Sequence, residues 1–507
     1  MKKITLSLII IMIAFSVGMA QDKPKQKEKP IPQPEISTTQ QSVVINGEKI
    51  ALTAKAGTMT LRDEGNEPIA LFGFTSYTKQ LSKSATSGHR PIVFAFNGGP
   101  GSSSYWLHMG VLGPRRIVIN DPDFTPAAPY QIVNNEYSIL DVADLVMIDP
   151  VGTGLSIPVG KAKGADFWGV DQDIRSISLF ITQYLIENDR LNSPKYLLGE
   201  SYGTFRNAGI MSTLLDQGIA MNGVIMVSAV FDLRTLLFPP NDDMPYILHL
   251  PTFASTAWYH NKLANKPTDL KKFIAEVKKF AEDTYLPALF KGNRLGMDEK
   301  KAVAKQLEHY TSLSSDYWMK ANLRVQAREY FQELLRDEGM TVGRLDSRYK
   351  GVNDDLLSQF SNYDPQSAAI SPAFTTGFLD YFYKDLGVNK ALRYNTSAYS
   401  QPGFKWDWSH RGNKRWNADA AINTGPDMAR ALNKDPNMKV LILNGYFDLA
   451  TVFYGVEYSI DHLGLTPDRR KNIIMKYYEA GHMMYIDSAS MMKFKKDVAE
   501  FILSTSR

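Results

Sequence analysis

The sequence predicts an α/β protein in which a mostly parallel central sheet is flanked by helices and is interrupted by a helical insertion. The first observation is a series of continuous apolar runs, which are typical of strands buried on both faces, and most of these runs are separated by helical patterns. The second is the alternating segment 42–79, which predicts antiparallel strands at one edge of the sheet. The apolar runs cover residues 91–96, 145–148, 196–198, 224–230, 440–443 and 473–478.

The insertion is indicated by a stretch in which this strand rhythm stops. Between about residues 236 and 436 the chain is rich in Tyr and Trp and shows amphipathic helical patterns. Lys439 then resumes the strand signature, so the chain must leave the sheet and return to it. We therefore expect a core in two parts, 42–235 and 437–507, with 236–436 as a helical cap over the sheet. The helical patterns cover residues 270–285, 298–310 and 321–336.

The first residues have the pattern of an export signal. Two lysines precede a short apolar run that ends in small residues, which predicts a signal peptide over residues 1–20 with cleavage after Ala20. An uncleaved membrane anchor is the alternative, although the run is short for a bilayer span. The polar, Pro-rich segment 21–41 predicts a disordered leader.

The cysteine count bears on the compartment. The chain has no cysteine, so it has neither a disulfide framework nor a lipid-anchor cysteine, and both facts suit a bacterial periplasm better than a eukaryotic secretory route. We expect an exported protein, periplasmic or extracellular, with no stable insertion of the mature chain in a membrane.

Charge and composition exclude several function classes. The 507-residue chain has a net charge of +4, and its positive and negative residues are interspersed, so no face is typical of nucleic-acid binding. No paired His or Cys residues have metal-ligand spacing, and we therefore expect no metal and no cofactor. The sequence does not indicate an oligomeric state.

A candidate nucleophile, Ser201, lies in the G-x-S-x-G pattern of residues 199–203. An apolar strand precedes the pattern and residues 204–211 can begin a helix, which is the context that such a serine requires. Glycines on either side let neighbouring backbone pass closely, so that the Ser201 hydroxyl points outward. The alternative is an ordinary serine in a Gly-rich turn.

A serine hydroxyl needs a base to remove its proton and a third group to hold that base. In a doubly wound hydrolase the order along the chain is Ser, acid, His, with each residue on a loop after a strand. Of the eight histidines, only His482 follows the last predicted strand by a few residues, whereas His462 falls in a predicted helix. Asp448 ends the preceding strand. Taken singly, these are a surface histidine and a turn cap; in this order with Ser201 they predict a catalytic triad.

The oxyanion that forms during acyl transfer needs hydrogen-bond donors, which are usually backbone N–H groups. The Gly-rich segment 96–104 begins at the end of an apolar strand, and its glycines free backbone amides to point into a cleft. A flexible Gly-Ser loop is the alternative. We predict the amides of Gly99 and Tyr202 as the two donors.

Five stretches together resemble the serine carboxypeptidase family of the α/β-hydrolase superfamily. The resemblance covers roughly residues 90–235 and 437–490, and the helical cap is similar only in position. It implies an α/β-hydrolase fold with Ser201, Asp448 and His482 as the triad. The same resemblance places the oxyanion hole at the amides of Gly99 and Tyr202. The stretches are FNGGPGSSS (96–104), IDPVGTGLS (148–156), GESYGT (199–204), NGYFDLA (444–450) and the Gly-His pair at 481–482.

The resemblance also implies a carboxylate-binding site. The family residues that correspond to Asn97 and Glu200 hydrogen-bond the free carboxylate at the C-terminus of the substrate, and Gly98 belongs to the same substrate-binding set. A carboxylic acid donates such a bond only while it is protonated, which favours acidic pH. The second Glu of the family, fourteen residues after the motif Asn, is Val111 here. This departure weakens the expectation of strict recognition and moves the expected working pH toward neutral.

Three functions remain open from the sequence. The first is an exported serine-type carboxypeptidase that acts on peptides through an acyl-enzyme on Ser201. The second is an acyltransferase or esterase of the same fold, and the third is a non-catalytic peptide-binding protein. Aromatic residues of the cap are candidates for the substrate pocket, with core packing as the alternative for each. They are Tyr246, Trp258, Tyr259, Trp406 and Trp408.

Overall fold

The computed structural model describes residues 31–81, 90–411 and 422–506. The strands of these residues are β1 (Ile36–Ile45), β2 (Glu48–Arg62), β3 (Pro68–Lys79), β4 (Ile92–Phe96), β5 (Arg115–Ile117), β6 (Ile132–Asn134), β7 (Asp144–Ile148), β8 (Ile157–Pro158), β9 (Lys195–Glu200), β10 (Gly223–Val227), β11 (Met340–Val342), β12 (Lys350–Val352), β13 (Lys439–Gly445) and β14 (Ile473–Tyr478).

The α-helices of the same residues complete the element set. They are α1 (Tyr105–Leu107), α2 (Val170–Glu187), α3 (Tyr202–Asp216), α4 (Met244–Tyr259), α5 (Leu270–Phe280), α6 (Leu286–Lys291), α7 (Met297–Thr311), α8 (Ser315–Lys320), α9 (Ala327–Glu333), α10 (Pro365–Lys384), α11 (Gly425–Lys434), α12 (Phe453–Asp461), α13 (Pro467–Arg470) and α14 (Ser488–Thr505).

One mixed sheet organises the fold, with the strand order β1-β2-β3-β7-β4-β9-β10-β13-β14 and β8 paired to β3. From β7 to β14 all neighbours are parallel, whereas β1, β2 and β3 form an antiparallel edge. The predicted α/β fold with a mostly parallel sheet is confirmed. Because the carboxyl ends of parallel strands meet at one edge, the loops after β4, β9, β13 and β14 converge there.

The apolar runs form strands because both faces of the sheet are covered. In β10 the side chains of Val224 and Met226 pack with α2, α3 and α11, whereas Ile225 and Val227 pack with α14 on the opposite face. A continuous apolar run is therefore required, since alternation would place a polar side chain in one of the two layers.

The inserted cap has an apolar core of its own. Helices α4 to α9 enclose a cluster that includes Phe253, Val277, Leu307 and Tyr330, and the rings of Phe253 and Tyr330 stack at 4.0 Å. Residues Tyr446 and Phe447, in the loop after β13, belong to the same cluster and join the cap to the sheet.

The predicted cap boundary differs from the structure. Helices α10 and α11 lie within 236–436, yet Phe374 and Phe378 of α10 pack in one apolar layer of the sheet, and Met428 and Leu432 of α11 pack in the other. Because both helices are amphipathic, their sequence patterns do not distinguish packing against a sheet from packing against other helices.

The predicted disordered leader 21–41 is wrong for its last residues. Strand β1 begins at Ile36 and pairs with β2 from Ile36 opposite Gly57 to Ile45 opposite Glu48. Its polar side chains alternate toward solvent while the backbone completes an antiparallel ladder, so low hydrophobicity does not prevent order here. Residues 21–30 and the predicted signal peptide 1–20 lie outside the described residues.

Among the helices of the described ranges, none combines the length and the apolar character that crossing a bilayer requires.

Candidate active site

The candidate nucleophile lies on a strained turn between β9 and α3. Ser201 has φ 59° and ψ −127°, a conformation that costs on the order of 1–3 kcal/mol for a residue other than glycine. Its backbone N–H donates to the carbonyl of Val227 in the neighbouring strand at 2.9 Å. A Cβ on Gly199 would lie 2.4 Å from the carbonyl oxygen of Gly203, which explains why glycine is needed there. The turn exposes the Ser201 side chain at the edge where the loops converge.

A buried carboxylate holds the candidate base. The Nδ1 atom of His482 lies 2.8 Å from Oδ2 of Asp448, and the Asp448 side chain is fully buried. Oδ1 of Asp448 accepts backbone N–H bonds from Ala450 at 2.8 Å and Thr451 at 2.9 Å, while the Thr451 hydroxyl donates to Oδ2 at 2.7 Å. A proton donated from Nδ1 leaves Nε2 unprotonated, which is the state that a general base requires.

The electrostatic setting of His482 favours the protonated imidazole that forms during catalysis. Burial lowers the pKa of His482, but the charge and hydrogen bond of Asp448 together with the charge of Glu200 raise it above its usual value. Asp448 therefore orients the ring and also stabilises its positive charge.

The structure brings the base and the nucleophile to one cavity. Ser201 and His482 both line a cavity of about 210 Å³, together with Asn97, Gly98 and Glu200. Asp448 lies behind His482 and away from this cavity. Ser201 and His482 thus face one cavity, and His482 is bonded to Asp448, although the three residues come from three separate loops.

The predicted oxyanion donors lie beside Ser201. Gly99 and Tyr202 line a second, larger cavity of about 850 Å³ that also reaches Ser201. Tyr202 is the first residue of α3, where a backbone N–H has no acceptor within the helix. Backbone N–H groups beside a nucleophile can stabilise a negatively charged oxygen on the substrate, and the amides of Gly99 and Tyr202 stay the predicted donors.

The loop after β4 approaches the nucleophile turn too closely for a side chain. A Cβ on Gly98 would lie 2.5 Å from the backbone nitrogen of Tyr202 and 2.6 Å from the carbonyl oxygen of Glu200. We expect G98A to push the loop away from the turn and to lower kcat about 10²- to 10³-fold, as losing one oxyanion donor does. Steady-state kinetics with an ester substrate measures the loss. The control is G296A, at a glycine with open space around it and a negative φ. An unchanged kcat in G98A would contradict this arrangement.

The motif at 148–156 supports the loop after β4. Oδ1 of the buried Asp149 accepts bonds from the backbone N–H of Ser104 at 2.8 Å and from the hydroxyl of Tyr394 at 3.0 Å. Burial raises the pKa of Asp149 to about 6, although these hydrogen bonds oppose the rise. Ser156 donates to the carbonyl of Asp149 at 2.6 Å. The motif therefore supports the oxyanion loop from behind and does not reach the cavity.

Asn97 and Glu200 form a buried polar pair beside Ser201. The hydroxyl of Tyr485 donates to Oε2 of Glu200 at 2.5 Å, and Oδ1 of Asn97 accepts the backbone N–H of Leu107 at 3.1 Å. Burial raises the pKa of Glu200 to about 7, while the charge of His482 and hydrogen bonds from Tyr485 and Asn97 hold it from rising further. Glu200 is therefore partly protonated near neutral pH and can donate a hydrogen bond into the cavity.

Val111 lies away from this pair. It belongs to the short π-helical turn His108–Leu112, is fully buried, and packs in an apolar layer of the sheet. Its side chain offers no hydrogen bond, so the position supplies no second carboxyl group.

Two residues that line the smaller cavity have no counterpart in the sequence predictions. Arg344 follows β11 and Gln366 lies in the first turn of α10, so both come from the predicted cap. Neither belongs to a motif, and a single Arg or Gln in an amphipathic region carries no signal of its own.

The larger cavity has a mostly apolar wall. Trp408 is the only predicted cap aromatic among its lining residues in the described part of the chain. Trp406 packs on the ring of Tyr202 at 5.4 Å, Tyr246 on Phe238 at 4.9 Å and Tyr259 on Phe447 at 5.2 Å. The indole of Trp258 donates to the carbonyl of Pro267. Besides Trp408, the apolar lining residues are Val230, Leu233, Leu236, Leu237, Phe238, Ala327, Phe331, Ile422, Leu449 and Ala450.

Within the described ranges, no group of three or more His, Cys, Asp or Glu side chains could hold a metal ion. The predicted nucleophile, base, acid and amide donors, together with the buried Asn97–Glu200 pair, are the groups that these residues place around the two cavities.

Comparison with protein families agrees with this chemistry. The model of the serine carboxypeptidase family matches residues 56–496, which span most of the chain. The chain belongs to the serine carboxypeptidase family and is a serine hydrolase of that class. No curated protein matches the sequence significantly.

Among solved structures, a carboxypeptidase shares the fold. The prohormone-processing carboxypeptidase Kex1 of Saccharomyces cerevisiae is similar with a TM-score of 0.52 and 16% identity, over 89% of this chain and 92% of that one. The monoacylglycerol lipase of Paleococcus ferrophilus has a TM-score of 0.31 and 13% identity, over 82% and 94%. The peroxisomal α/β-hydrolase Lpx1 of Saccharomyces cerevisiae has a TM-score of 0.32 and 9% identity, over 94% and 91%.

Proposed function

We propose that the protein removes residues from the C-terminus of peptides by hydrolysis through an acyl-enzyme on Ser201. The observation that carries this proposal is the buried Asn97–Glu200 pair in the small cavity that Ser201 and His482 line. A group that can donate a hydrogen bond to a carboxylate beside the nucleophile suits a substrate whose chain ends one residue after the cleaved bond.

The reaction follows from the positions of these groups. His482 Nε2 takes the proton of the Ser201 hydroxyl as the oxygen attacks the peptide carbonyl, and the amides of Gly99 and Tyr202 stabilise the oxyanion. The C–N bond then breaks, and the leaving amine takes the proton from His482. Water repeats the two steps on the ester and releases the acyl group, while Asp448 holds the imidazole throughout.

Each of the two cavities receives a different part of the substrate. They share Gly99, Ser201, Arg344 and Ala450, so the scissile carbonyl lies where they meet. The cavity of about 210 Å³ holds the polar pair and receives the residue that leaves, whereas the apolar cavity of about 850 Å³ receives the acyl part of the peptide. This division favours a bulky apolar residue before the cleaved bond.

The charge state of Glu200 predicts a pH dependence. The pKa of Glu200 is about 7. Below that pH the carboxylic acid donates to the substrate carboxylate, and above it the carboxylate repels the substrate. The neutral imidazole of His482, whose pKa is also raised, makes the rates of acid and amide substrates rise over the same pH range. We therefore expect the ratio of kcat/KM for a free-acid peptide to that for its C-terminal amide to fall about tenfold or more as pH rises through 7, since hydrogen bonds to charged groups contribute about 1.5–3 kcal/mol. The amide alone lacks this fall.

E200Q is the matched control for that profile. Glutamine keeps a donor but does not titrate, so the fall near pH 7 should disappear. Glu200 also raises the pKa of His482 through its negative charge. Its removal should therefore shift the ascending limb of the profile, which reports the neutral imidazole, to lower pH. An unaltered descending limb in E200Q would contradict the assignment.

Cleavage of a paired acid and amide substrate tests the proposed function itself. We expect a blocked dipeptide acid to be hydrolysed faster than its amide at pH 6. Equal rates would contradict carboxylate recognition and favour an esterase or acyltransferase of the same fold.

We also propose that the protein is exported to the periplasm or beyond the cell. The basic start, the short apolar run and the small residues before position 21 support this, as does the absence of cysteine. N-terminal sequencing of the mature protein should begin at Gln21, and a chain that retains residues 1–20 in the cytoplasm would contradict export.

A further inference from the structure

We propose that Arg344, aided by Gln366, binds the α-carboxylate of the substrate in the smaller cavity and replaces the carboxyl group that position 111 lacks. The inference rests on the proposed carboxypeptidase function and names a residue that determines its specificity. Both residues line the cavity that also holds Asn97 and Glu200, and Arg344 lines the larger cavity too, so it lies where the two cavities meet beside Ser201.

Arg344 stands on backbone that the catalytic loops hold in place. Its N–H donates to Oδ2 of Asp364 at 2.8 Å, and its carbonyl accepts the N–H of Leu449, next to the triad acid, at 3.1 Å. The carbonyl of the following residue, Leu345, accepts the N–H of His482 at 2.7 Å. The position of Arg344 relative to the nucleophile is therefore fixed before any substrate arrives.

The guanidinium of Arg344 is available for a ligand. Across the described residues it makes no hydrogen bond and no ion pair, and the residue is exposed and lines both cavities. Asp364, the nearby carboxylate, already accepts the N–H groups of Arg344, Leu345 and Ser367. An arginine side chain stays charged at any working pH and matches a carboxylate with two parallel N–H groups.

The positive charge of Arg344 affects the pKa of His482. Burial and the Asp448 carboxylate have the largest influence on the pKa of His482, and the positive charge of Arg344 acts against the rise that Asp448 causes. A carboxylate bound to Arg344 would therefore lie close to the scissile bond.

Gln366 provides the second, independent observation. Its side chain is fully buried in the cavity wall, yet neither Oε1 nor Nε2 has a hydrogen-bond partner among the described residues. Buried amide groups are nearly always paired, so this unpaired amide behind the cavity wall gains a partner if its side chain turns toward a ligand. Both amide atoms are closed to solvent as the side chain stands. The side chain must therefore turn before a carboxylate on the guanidinium can also accept from the amide.

The cavity favours the α-carboxylate over an acidic side chain. Asn97 and Glu200 contribute polar groups next to Ser201, and the remaining wall includes the apolar side chains of Trp106, Ile370 and Met483. The polar part therefore suits the carboxylate of the leaving residue, and the apolar part suits its side chain.

Binding to S201A, which cannot turn over, tests the proposal by calorimetry. The probes are N-acetyl-Phe-Phe, its C-terminal amide, and N-acetyl-Phe-Glu amide, whose only carboxylate is on a side chain. We expect S201A to bind the acid at least tenfold more tightly than either amide. In S201A/R344M this preference should fall to within about twofold, and in S201A/R344K it should be partly kept. S201A/Q366M should bind the acid about three- to tenfold more weakly than S201A does, with its affinity for the amides unchanged.

The control is R294M in the same background, because Arg294 is an exposed arginine that lines neither cavity and its replacement changes the net charge equally. Equal weakening of acid and amide by R344M would overturn the proposal, as would an Arg344-dependent preference for the Glu amide over the Phe amide. Thermal melting shows that each variant is folded. If the wild type hydrolyses none of these probes while S201A keeps the Arg344-dependent preference, the proposed function fails and the carboxylate site stands.

Discussion

Replacing Ser201 or His482 by alanine should each lower kcat by about six orders of magnitude, and the double variant should be no worse than either single one. The reason is that the two side chains act as one unit: without the base the hydroxyl keeps its proton, and without the hydroxyl the base has nothing to activate. Hydrolysis of a chromogenic ester measures the loss, since esters give the highest signal for a weak enzyme.

Two exposed residues provide matched controls for these substitutions. Ser504 lies at the end of α14 and His309 on α7, both away from the cavities, so S504A and H309A should keep the wild-type rate. Additive losses in the S201A/H482A protein would contradict a shared mechanism, as would residual activity in H482A above about one per cent of the wild type.

D448N should lower kcat by about 10⁴-fold while leaving the fold intact. An asparagine can keep its oxygen toward the N–H groups of Ala450 and Thr451, which Oδ1 accepts in the native protein. Its NH₂ group then faces Nδ1 of His482 in place of Oδ2. The imidazole must accept this bond at Nδ1, so its proton moves to Nε2 and the ring can no longer act as a base.

The tautomer explanation can be separated from loss of structure. D448N should melt within a few degrees of the wild type, because its hydrogen-bond pattern is largely preserved, and KM should change little. A D448N protein with wild-type kcat would show that Asp448 does not hold the base, and one that is unfolded would show that the carboxylate acts on stability instead.

Ser201, Asp448 and His482 could be predicted because the sequence around each of them is strongly constrained. The turn around Ser201 needs glycine at Gly199, where a Cβ would meet the carbonyl of Gly203 at 2.4 Å. His482 and Asp448 follow strands that must be apolar on both faces, so their places at the carboxyl edge follow from the runs before them. The roles of these residues remain predictions that the proposed variants test.

The position of Arg344 could not be predicted from the sequence. The backbone of Arg344 is held by the N–H of Leu449 and by the side-chain carboxylate of Asp364. These two residues lie more than a hundred and about twenty positions away along the chain. Long-range pairing of this kind depends on the folded topology rather than on local pattern. The same holds for β1, whose polar residues are ordered by the neighbouring strand β2.

The motif IDPVGTGLS shows an intermediate case. Its resemblance to the family could be identified from the sequence, but its role could not. In the structure Asp149 accepts the N–H of Ser104, so the motif supports the oxyanion loop through a buried carboxylate. A glycine is required at Gly154 because a Cβ there would lie 2.1 Å from Oδ2 of Asp149.

Labelling with a fluorophosphonate, followed by peptide mapping, tests the central claim most directly. The reagent bonds covalently to a serine only when a base activates it beside an oxyanion hole. We predict a single modified residue, Ser201, in the wild type and none in H482A. Modification of another serine, or no modification of the wild type at any pH between 5 and 9, would contradict the assignment of Ser201 as the nucleophile.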